Sequence, residues 1–580
     1  MNKTAILTAL IGLCMTATAK TKTVTLRLVE TSDVHGAFFP YDFTERRTMP
    51  GTMARVSTYL QRQRKAFGER LILLDNGDIL QGQPTCYYTN YVKTDAPNIA
   101  AEVVNYLHYD AENFGNHDIE TGHAVYDKWI SELRCPVLGA NVLDSKTGKP
   151  YTKPYVILER EGVRIAVLGM LTPAIPNWLH ERLWTGLRFE EMTRSARHWL
   201  QVLREQERAD IVVGLFHSGW EGGITTPDYD EDASRKMAET VPGFDVIFFG
   251  HDHTERNTTV QGVLCLDPSC NAVKVAEATL TLKIHDDAAK SEHGRRVEVV
   301  SKQGALVDVT GEAIDQAYMA HFQPQMDSIR HYVDRQLGTF LTPMRSRDAF
   351  FGSSAFTDYI HQVQLEVSGA DISFNAPLTF DTDIQAGPVY MSDMFKLYRF
   401  ENQIYVLRMT GREVRNHLEM SYDRWTNTMR QPTDHIMLLA PKAPGDNQRE
   451  GFKHFTFNFD SAAGIDYEVD VTKPVGQKVR ILQFSDGRPF DEQAWYRVAM
   501  NSYRGNGGGE LLTAGAGIPL DSINSRIVYM SERDQRHYLM EKIVREGQVD
   551  ARPLNNWRFT PDAWARPAIE RDRKLIFGEK

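Results

Sequence analysis

Carboxylates and imidazoles, the side chains that hold divalent cations and move protons, recur in this chain at the ends of short apolar runs. The first group is Thr31-Ser32-Asp33-Val34-His35-Gly36. Residues two apart in an extended segment face the same side, so Asp33 and His35 can converge on one ion. The second, Leu73-Leu74-Asp75-Asn76-Gly77-Asp78, delivers a carboxylate to a turn. A carboxylate has two oxygens and can bridge two cations, the role assigned to Asp78, with Asp75 as support behind it. In Gly115-Asn116-His117-Asp118, Asn116 offers an amide oxygen to a hard cation, while His117 points elsewhere and stays free for acid work. His217 closes the run Leu215-Phe216-His217, and Gly250-His251-Asp252-His253 again sets two ligands two apart. Alone, each motif reads equally well as a turn aspartate, a helix cap or a solvated histidine. All five in one chain point to a metal site.

The elements that must position these groups read as strands alternating with amphipathic stretches, the pattern of a layered α/β domain. Strands are predicted over residues 24–30, 71–74, 164–168, 211–216 and 246–249, each followed by a polar or glycine-containing turn. Chemistry in such folds gathers at strand ends. Residues 309–336 are polar and helical in pattern and read as a connector. A second domain follows over 337–549, with a helix over 355–367 and a strand over 403–409. Residues 550–580 are charged and contain tryptophan, and read as a wrapping or partly disordered tail.

At 580 residues the chain exceeds one hydrophobic core, so two domains are expected. Residues 1–19 read as a secretory leader: Lys3, an apolar run over 5–13, and the small-residue site Ala17-Thr18-Ala19. No other stretch approaches the ~20 apolar residues that span a bilayer. An exported, periplasmic or secreted protein is expected, and most simply a monomer. Cys265 and Cys270 flank a turn and are the candidate disulfide pair, with free thiols as the alternative. A net charge of −10 argues against nucleic-acid polymers as ligands. An anionic substrate would need local positive charge, which bound cations supply.

The ordered set Asp33-x-His35, Gly77-Asp78, Gly115-Asn116-His117-Asp118, His217 and Gly250-His251-x-His253 resembles the calcineurin-like metallophosphoesterases. Within them it is similar to the exported 5'-nucleotidase and 2',3'-cyclic-nucleotide phosphodiesterase family, over nearly the whole chain after the leader. That resemblance implies a four-layer αββα sandwich over residues 20–308 and a C-terminal α/β nucleotide-binding domain. It implies one ion on Asp33, His35, Asp78 and His253, and a second on Asp78, Asn116, His217 and His251. Zinc or manganese suits such mixed donors, and iron is also compatible. It assigns His117 to the transition state or the leaving oxygen, oriented by a carboxylate three residues on, here Glu120.

The same resemblance bears on substrate. The stretch Ser373-Phe374-Asn375-Ala376-Pro377 stands where the 5'-nucleotidase branch carries an Asn-Gly-Gly motif ending in arginine, and that arginine is missing. This is similar to the 2',3'-cyclic-nucleotide 2'-phosphodiesterase/3'-nucleotidase branch. Phe400 and Tyr503 stand where the family stacks a base, and Asn402 where it hydrogen-bonds one. Gly507 and Gly508 would let backbone approach the ligand. Arg504 reads as a surface salt bridge or as a replacement for the lost arginine. A 5'-nucleotidase or nucleotide-sugar hydrolase is the alternative enzyme. A non-catalytic nucleotide-binding protein is the alternative of another class, although it would be expected to have lost ligands.

Overall fold

The computed structural model describes residues 20–286, 295–441 and 450–578, so the leader predicted over 1–19 lies outside the described residues. The first half is built on two six-stranded sheets. In one, Lys20–Thr31 runs antiparallel to Lys274–Asp286 and parallel to Leu71–Asp75. Ala111–Asn113 and Val137–Leu138 extend the parallel side. In the other, Ile211–His217 lies between Val163–Leu171 and Val246–Phe249, all parallel.

These strands read as unbroken apolar runs because both of their faces are covered. Along Leu71–Asp75 the alternation sends Ile72 and Leu74 between the sheets, where they meet Ile165, Val167, Val213 and Leu215. Leu71 and Leu73 face the other way, toward the helices Met53–Phe67 and Ile99–Leu107. On the second sheet Val212 and Phe216 pack under Met192–Gln201 and Ser234–Thr240. The result is four layers, helix, sheet, sheet, helix. Each fully buried aliphatic contributes about 1.5–3 kcal/mol, so the sandwich is a rigid base for its loops.

The predicted connector contains the helix Gln316–Val333, capped by Asp315, whose side chain accepts from the amides of Ala317 and Tyr318. Phe322, Ile329 and Val333 bury into the first domain's helical layer, so this helix is part of that core as well as a bridge. The second half centres on a five-stranded mixed sheet in the order Ser461–Ala463, Ile372–Asn375, Trp495–Asn501, Gln403–Thr410, Ile527–Asp534.

Within the predicted tail, residues 557–577 form a strand and a helix packed on the second half. Trp557–Thr560 pairs in parallel with Ile465–Asp470, and the helix Asp562–Phe577 follows. On that helix Asp572, fully buried, accepts from the amides of Ile436 and Met437 at 2.8 and 2.9 Å. The charged composition belongs to its outer face, while Ala565, Ala568 and Phe577 join the core. The expected Cys265–Cys270 bridge is not formed: Cys265 is buried in the helix-side core and Cys270 sits in the following loop, both as thiols.

Candidate active site

Every first-half cation ligand named from sequence sits at or just past the C-terminal end of a parallel strand. Asp33 follows Lys20–Thr31, Asp78 follows Leu71–Asp75, Asn116 follows Ala111–Asn113, and His217 ends Ile211–His217. His251 and His253 follow Val246–Phe249. A buried amide network ties these ends together across both sheets. Asn113 Nδ2 donates to Asn76 Oδ1 and to the carbonyls of Met170 and Leu215, and Asn76 Nδ2 donates to the Phe216 carbonyl.

Two clusters meet at Asp78. In one, His253 Nε2 lies 3.2 Å from Asp33 Oδ1 and 3.1 Å from His35 Nε2, and His35 Nε2 lies 4.0 Å from Asp78 Oδ2. In the other, His217 Nε2 lies 3.3 Å from the same Asp78 Oδ2 and 3.1 Å from Asn116 Oδ1, and His251 Nδ1 lies 2.8 Å from that amide oxygen. The tautomers follow from the opposite ring nitrogens. His217 Nδ1–H donates to the Asn76 carbonyl at 2.7 Å and His35 Nδ1–H to the Gln81 carbonyl at 3.1 Å, leaving both Nε2 atoms as lone pairs. His251 Nε2–H donates to Glu231 Oε1 at 3.1 Å, freeing Nδ1.

Lone pairs that face one another across 3 to 4 Å repel unless positive charge lies between them. Asp33 Oδ1 is buried with no hydrogen-bond partner among the described residues. Ligand bonds of 2.0–2.1 Å in a tetrahedral shell place donors about 3.3 Å apart, close to the separations found. The residues therefore fit a pair of divalent cations.

The backbone here is strained. Asp33, His35, Asp78, His251 and His253 all have positive φ, between 48° and 82°, a conformation that costs about 1–3 kcal/mol per non-glycine residue. This corrects the geometry expected from sequence: Asp33 and His35 converge through left-handed turns, not strand alternation. Likewise His251 and His253 serve different clusters. Glycine is required beside them, since a Cβ on Gly115 would lie 2.1 Å from Asp78 Oδ1 and one on Gly250 2.0 Å from Ser32 Oγ.

His117 stands apart from the donors, its ring 5.6 Å from that of His35. Its amide donates to Asp78 Oδ1 at 2.8 Å and its Nδ1–H to Glu120 at 2.5 Å. Burial lowers its pKa, but Asp78 and Glu120 raise it more, to about 9. Burial and His253 push His35 down to about 4. Asp118 does not pair with His117. Its carboxylate accepts from the amides of Asp78, Ile79, Leu80 and Gly115 and so clamps two of the loops together.

The chain matches the calcineurin-like phosphoesterase family over residues 26–255 and the 5'-nucleotidase C-terminal domain over residues 335–515. It joins a calcineurin-like phosphoesterase domain to a 5'-nucleotidase C-terminal domain. As such it is a metal-dependent phosphoester hydrolase. It is 26% identical to a 2',3'-cyclic-nucleotide 2'-phosphodiesterase/3'-nucleotidase of Yersinia enterocolitica, over 96% of this chain and 91% of that one. It is 25% identical to the trifunctional nucleotide phosphoesterase YfkN of Bacillus subtilis over 93% of this chain, which spans only 39% of that protein. Its fold is that of a putative 5'-nucleotidase from Staphylococcus aureus, with a TM-score of 0.74 at 21% identity, covering 92% of this chain and 100% of the other.

The phosphoesterase sandwich faces the second domain across a cavity of about 90 Å³, lined among others by Glu120, Trp178, Glu401, Gln403, Tyr405 and Ser502. Phe400 and Tyr503, next in sequence to its lining residues Glu401 and Ser502, are half-buried. Asn402 Oδ1 accepts from Ser502 Oγ at 3.2 Å. Asn375 is 2% exposed, and neither its Oδ1 nor its Nδ2 finds a partner among the described residues.

Gly507, Gly508 and Arg504 have structural surroundings that the sequence did not show. A Cβ on Gly508 would strike the Tyr503 ring at 2.5 Å, and one on Gly507 would lie 3.1 Å from Leu520. Packing against Tyr503 calls for glycine at 508, and the positive φ of 100° calls for it at 507. Arg504 is no surface residue: at 2% exposure it holds Asp460 through two hydrogen bonds of 2.8 and 3.1 Å and donates to Asn458 and Phe457. Sequence reasoning missed Glu231 and Asp232, which form a potential cation-binding group with His251. The only hint was the acidic run Asp230-Glu231-Asp232, and acidic runs are usually solvated.

Proposed function

We propose that the chain hydrolyses 2',3'-cyclic nucleotides to 3'-nucleotides and then to nucleoside and phosphate, with its substrate held between the two domains. The single observation that carries this reading is Asp78: one carboxylate oxygen faces both donor clusters, and the other holds the backbone of His117. One cation would sit on Asp33, His35, Asp78 and His253, and the other on Asp78, Asn116, His217 and His251. Zinc or manganese matches these donors best. When bound, such a pair supplies Lewis acidity toward the phosphoryl oxygens and an acidified water.

The chain's own part is orientation and proton delivery. As the water oxygen forms its bond to phosphorus, the bond from phosphorus to the ribose oxygen breaks, and His117 gives that oxygen its proton. Glu120 fixes the ring through Nδ1, so Nε2 is the atom that donates. Phe400 and Tyr503 stack the base, and Asn402 and Asn375 contact the nucleotide. Gly508 makes room for the Tyr503 ring, and Gly507 supplies a left-handed backbone turn beside it. Asn375's unpartnered amide supports a ligand at that position, because a buried polar group without a partner is costly.

The absent arginine after Asn375 and the name of the Yersinia relative favour the 2' and 3' positions over 5'. The 1–19 leader would export the chain; among the described residues no helix is long and apolar enough to cross a membrane. A monomer is the simplest assembly. The test is a panel of 2',3'-cyclic AMP, 3'-AMP and 5'-AMP in defined zinc or manganese. Turnover of the first two supports the reading, and turnover of 5'-AMP alone refutes it.

A further inference from the structure

The helix Gln535–Glu546 begins at the domain junction, and its first turn makes an unusual set of contacts. Arg536 is fully buried. Its Nε donates to the Tyr398 carbonyl at 3.0 Å, one terminal nitrogen to the Arg399 carbonyl at 2.7 Å, and the other to Glu401 Oε1 at 2.9 Å. One guanidinium thus grips the loop carrying Phe400 and Asn402. The neighbouring Gln535 amide donates to the Asn402 carbonyl at 2.7 Å, holding the same loop from its other end.

The faces of that guanidinium are occupied by rings from both domains. Phe395 of the second domain lies 4.0 Å from it and Tyr87 of the first 4.8 Å away. Tyr87 also donates its hydroxyl to Asp534, the helix cap, at 2.9 Å. Tyr87 ends the short helix Pro84–Tyr87, which is pinned to the metal-site loops. The Gln83 amide donates to the His35 carbonyl at 3.0 Å and Thr85 Oγ1 to the Gly36 carbonyl at 2.9 Å. A continuous set of contacts therefore runs from the His35 loop through Tyr87 and Arg536 to Phe400 and Asn402.

We propose that Arg536 is a positioning residue, seated by Tyr87, that sets the 398–402 loop at a fixed place relative to the phosphoesterase centre. The proposal rests on the reading of Phe400 and Asn402 as nucleoside contacts. Arg536 touches no reacting atom. It acts by holding three groups of one loop, for which its planar fork of donors is suited and a lysine is not. Loss of the Tyr87 ring leaves the cation free to turn away from that loop, and displacement of a substrate-positioning group by about 1 Å costs as much as 10²-fold.

Tyr87→Leu, Tyr87→Phe and Arg536→Lys are to be compared with the unaltered chain on 3'-AMP and on bis(p-nitrophenyl) phosphate, which has no nucleoside. Tyr87→Leu is expected to raise KM for 3'-AMP about 10-fold, and Arg536→Lys up to about 10²-fold. Both are expected to leave kcat and the chromogenic ester within about 2-fold. Tyr87→Phe keeps the ring over the guanidinium and is expected to restore KM to within about 2-fold of the unaltered chain. Parallel losses on both substrates, or an unchanged KM in Tyr87→Leu, would overturn the proposal. Should Arg536→Lys not fold, the two Tyr87 variants decide alone. An unaltered chain that cleaves the chromogenic ester and no nucleotide would instead refute the functional reading itself, a result visible before any variant is made.

Discussion

The two halves solve different problems with different amounts of backbone constraint. In the phosphoesterase half, Asp33, His35, Asp78, His251 and His253 are held in left-handed conformations at strand ends, and buried amides and the Asp118 carboxylate lock their loops. In the second half, Phe400 on a connecting loop and Tyr503 on the short helix Ser502–Gly505 are half-buried, held from behind by Arg536 and by packing on Gly508. Cation ligands tolerate errors of a few tenths of an ångström, so strain is accepted to place them. On the proposed reading, a stacking face tolerates more, so the nucleoside side can rely on packing.

This contrast predicts a ranking of effects. Asp78→Ala removes the carboxylate whose one oxygen faces both clusters and is expected to cost both metal and turnover by more than about 100-fold, the upper range for losing a mere supporting partner. Retained metal content, measured by atomic emission, would break the contrast at its strongest point. His117→Ala is expected to lower kcat by about 10²-fold to 10⁴-fold with metal content unchanged. If it strips metal, His117 is a ligand and its assignment is wrong. Glu231→Ala removes the acceptor that fixes His251 and is expected to weaken metal affinity about 10-fold to 100-fold, read by competition with a chromogenic chelator. An unaltered affinity would mean that His251 is oriented by its backbone alone.

A smaller effect sharpens the comparison from the other side. His361, buried in the second half between Ser373 Oγ at 2.8 Å and Ser461 Oγ at 3.2 Å, is pushed down by burial to about 3. The unfolded chain takes up its proton near the ordinary pKa of 6.5 while the folded chain does not. This contribution to stability is therefore full above pH 6.5 and is lost as pH falls toward 3, at about 1.4 kcal/mol per pH unit. Urea unfolding followed at pH 7 and pH 5 is expected to show a steeper acid loss in the unaltered chain than in His361→Gln. Equal losses would show that the histidine is not held neutral.

The sequence was most legible where chemistry and topology coincide. Apolar runs ending in Asp33, Asp78, His217 and His251 marked parallel strands, because burial on both faces makes such strands continuous and their ends the natural site of ligands. Glu231 was illegible because it acts only through His251, with no spacing rule linking the two. Residues 557–577 looked like a tail because one exposed helical face dominates their composition, although Asp572 and Ala568 are buried. Arg536 gave no signal at all: its three loop contacts depend on a chain reversal joining residues 398–401 to 536.

The central claim is that Asp78 stands between two cations. The most direct measurement is the crystal structure of the chain with manganese, read by anomalous scattering. Two peaks are predicted, one beside Asp33, His35 and His253 and the other beside Asn116, His217 and His251, with Asp78 contacting both. A single peak, or two that share no ligand at Asp78, would contradict the account.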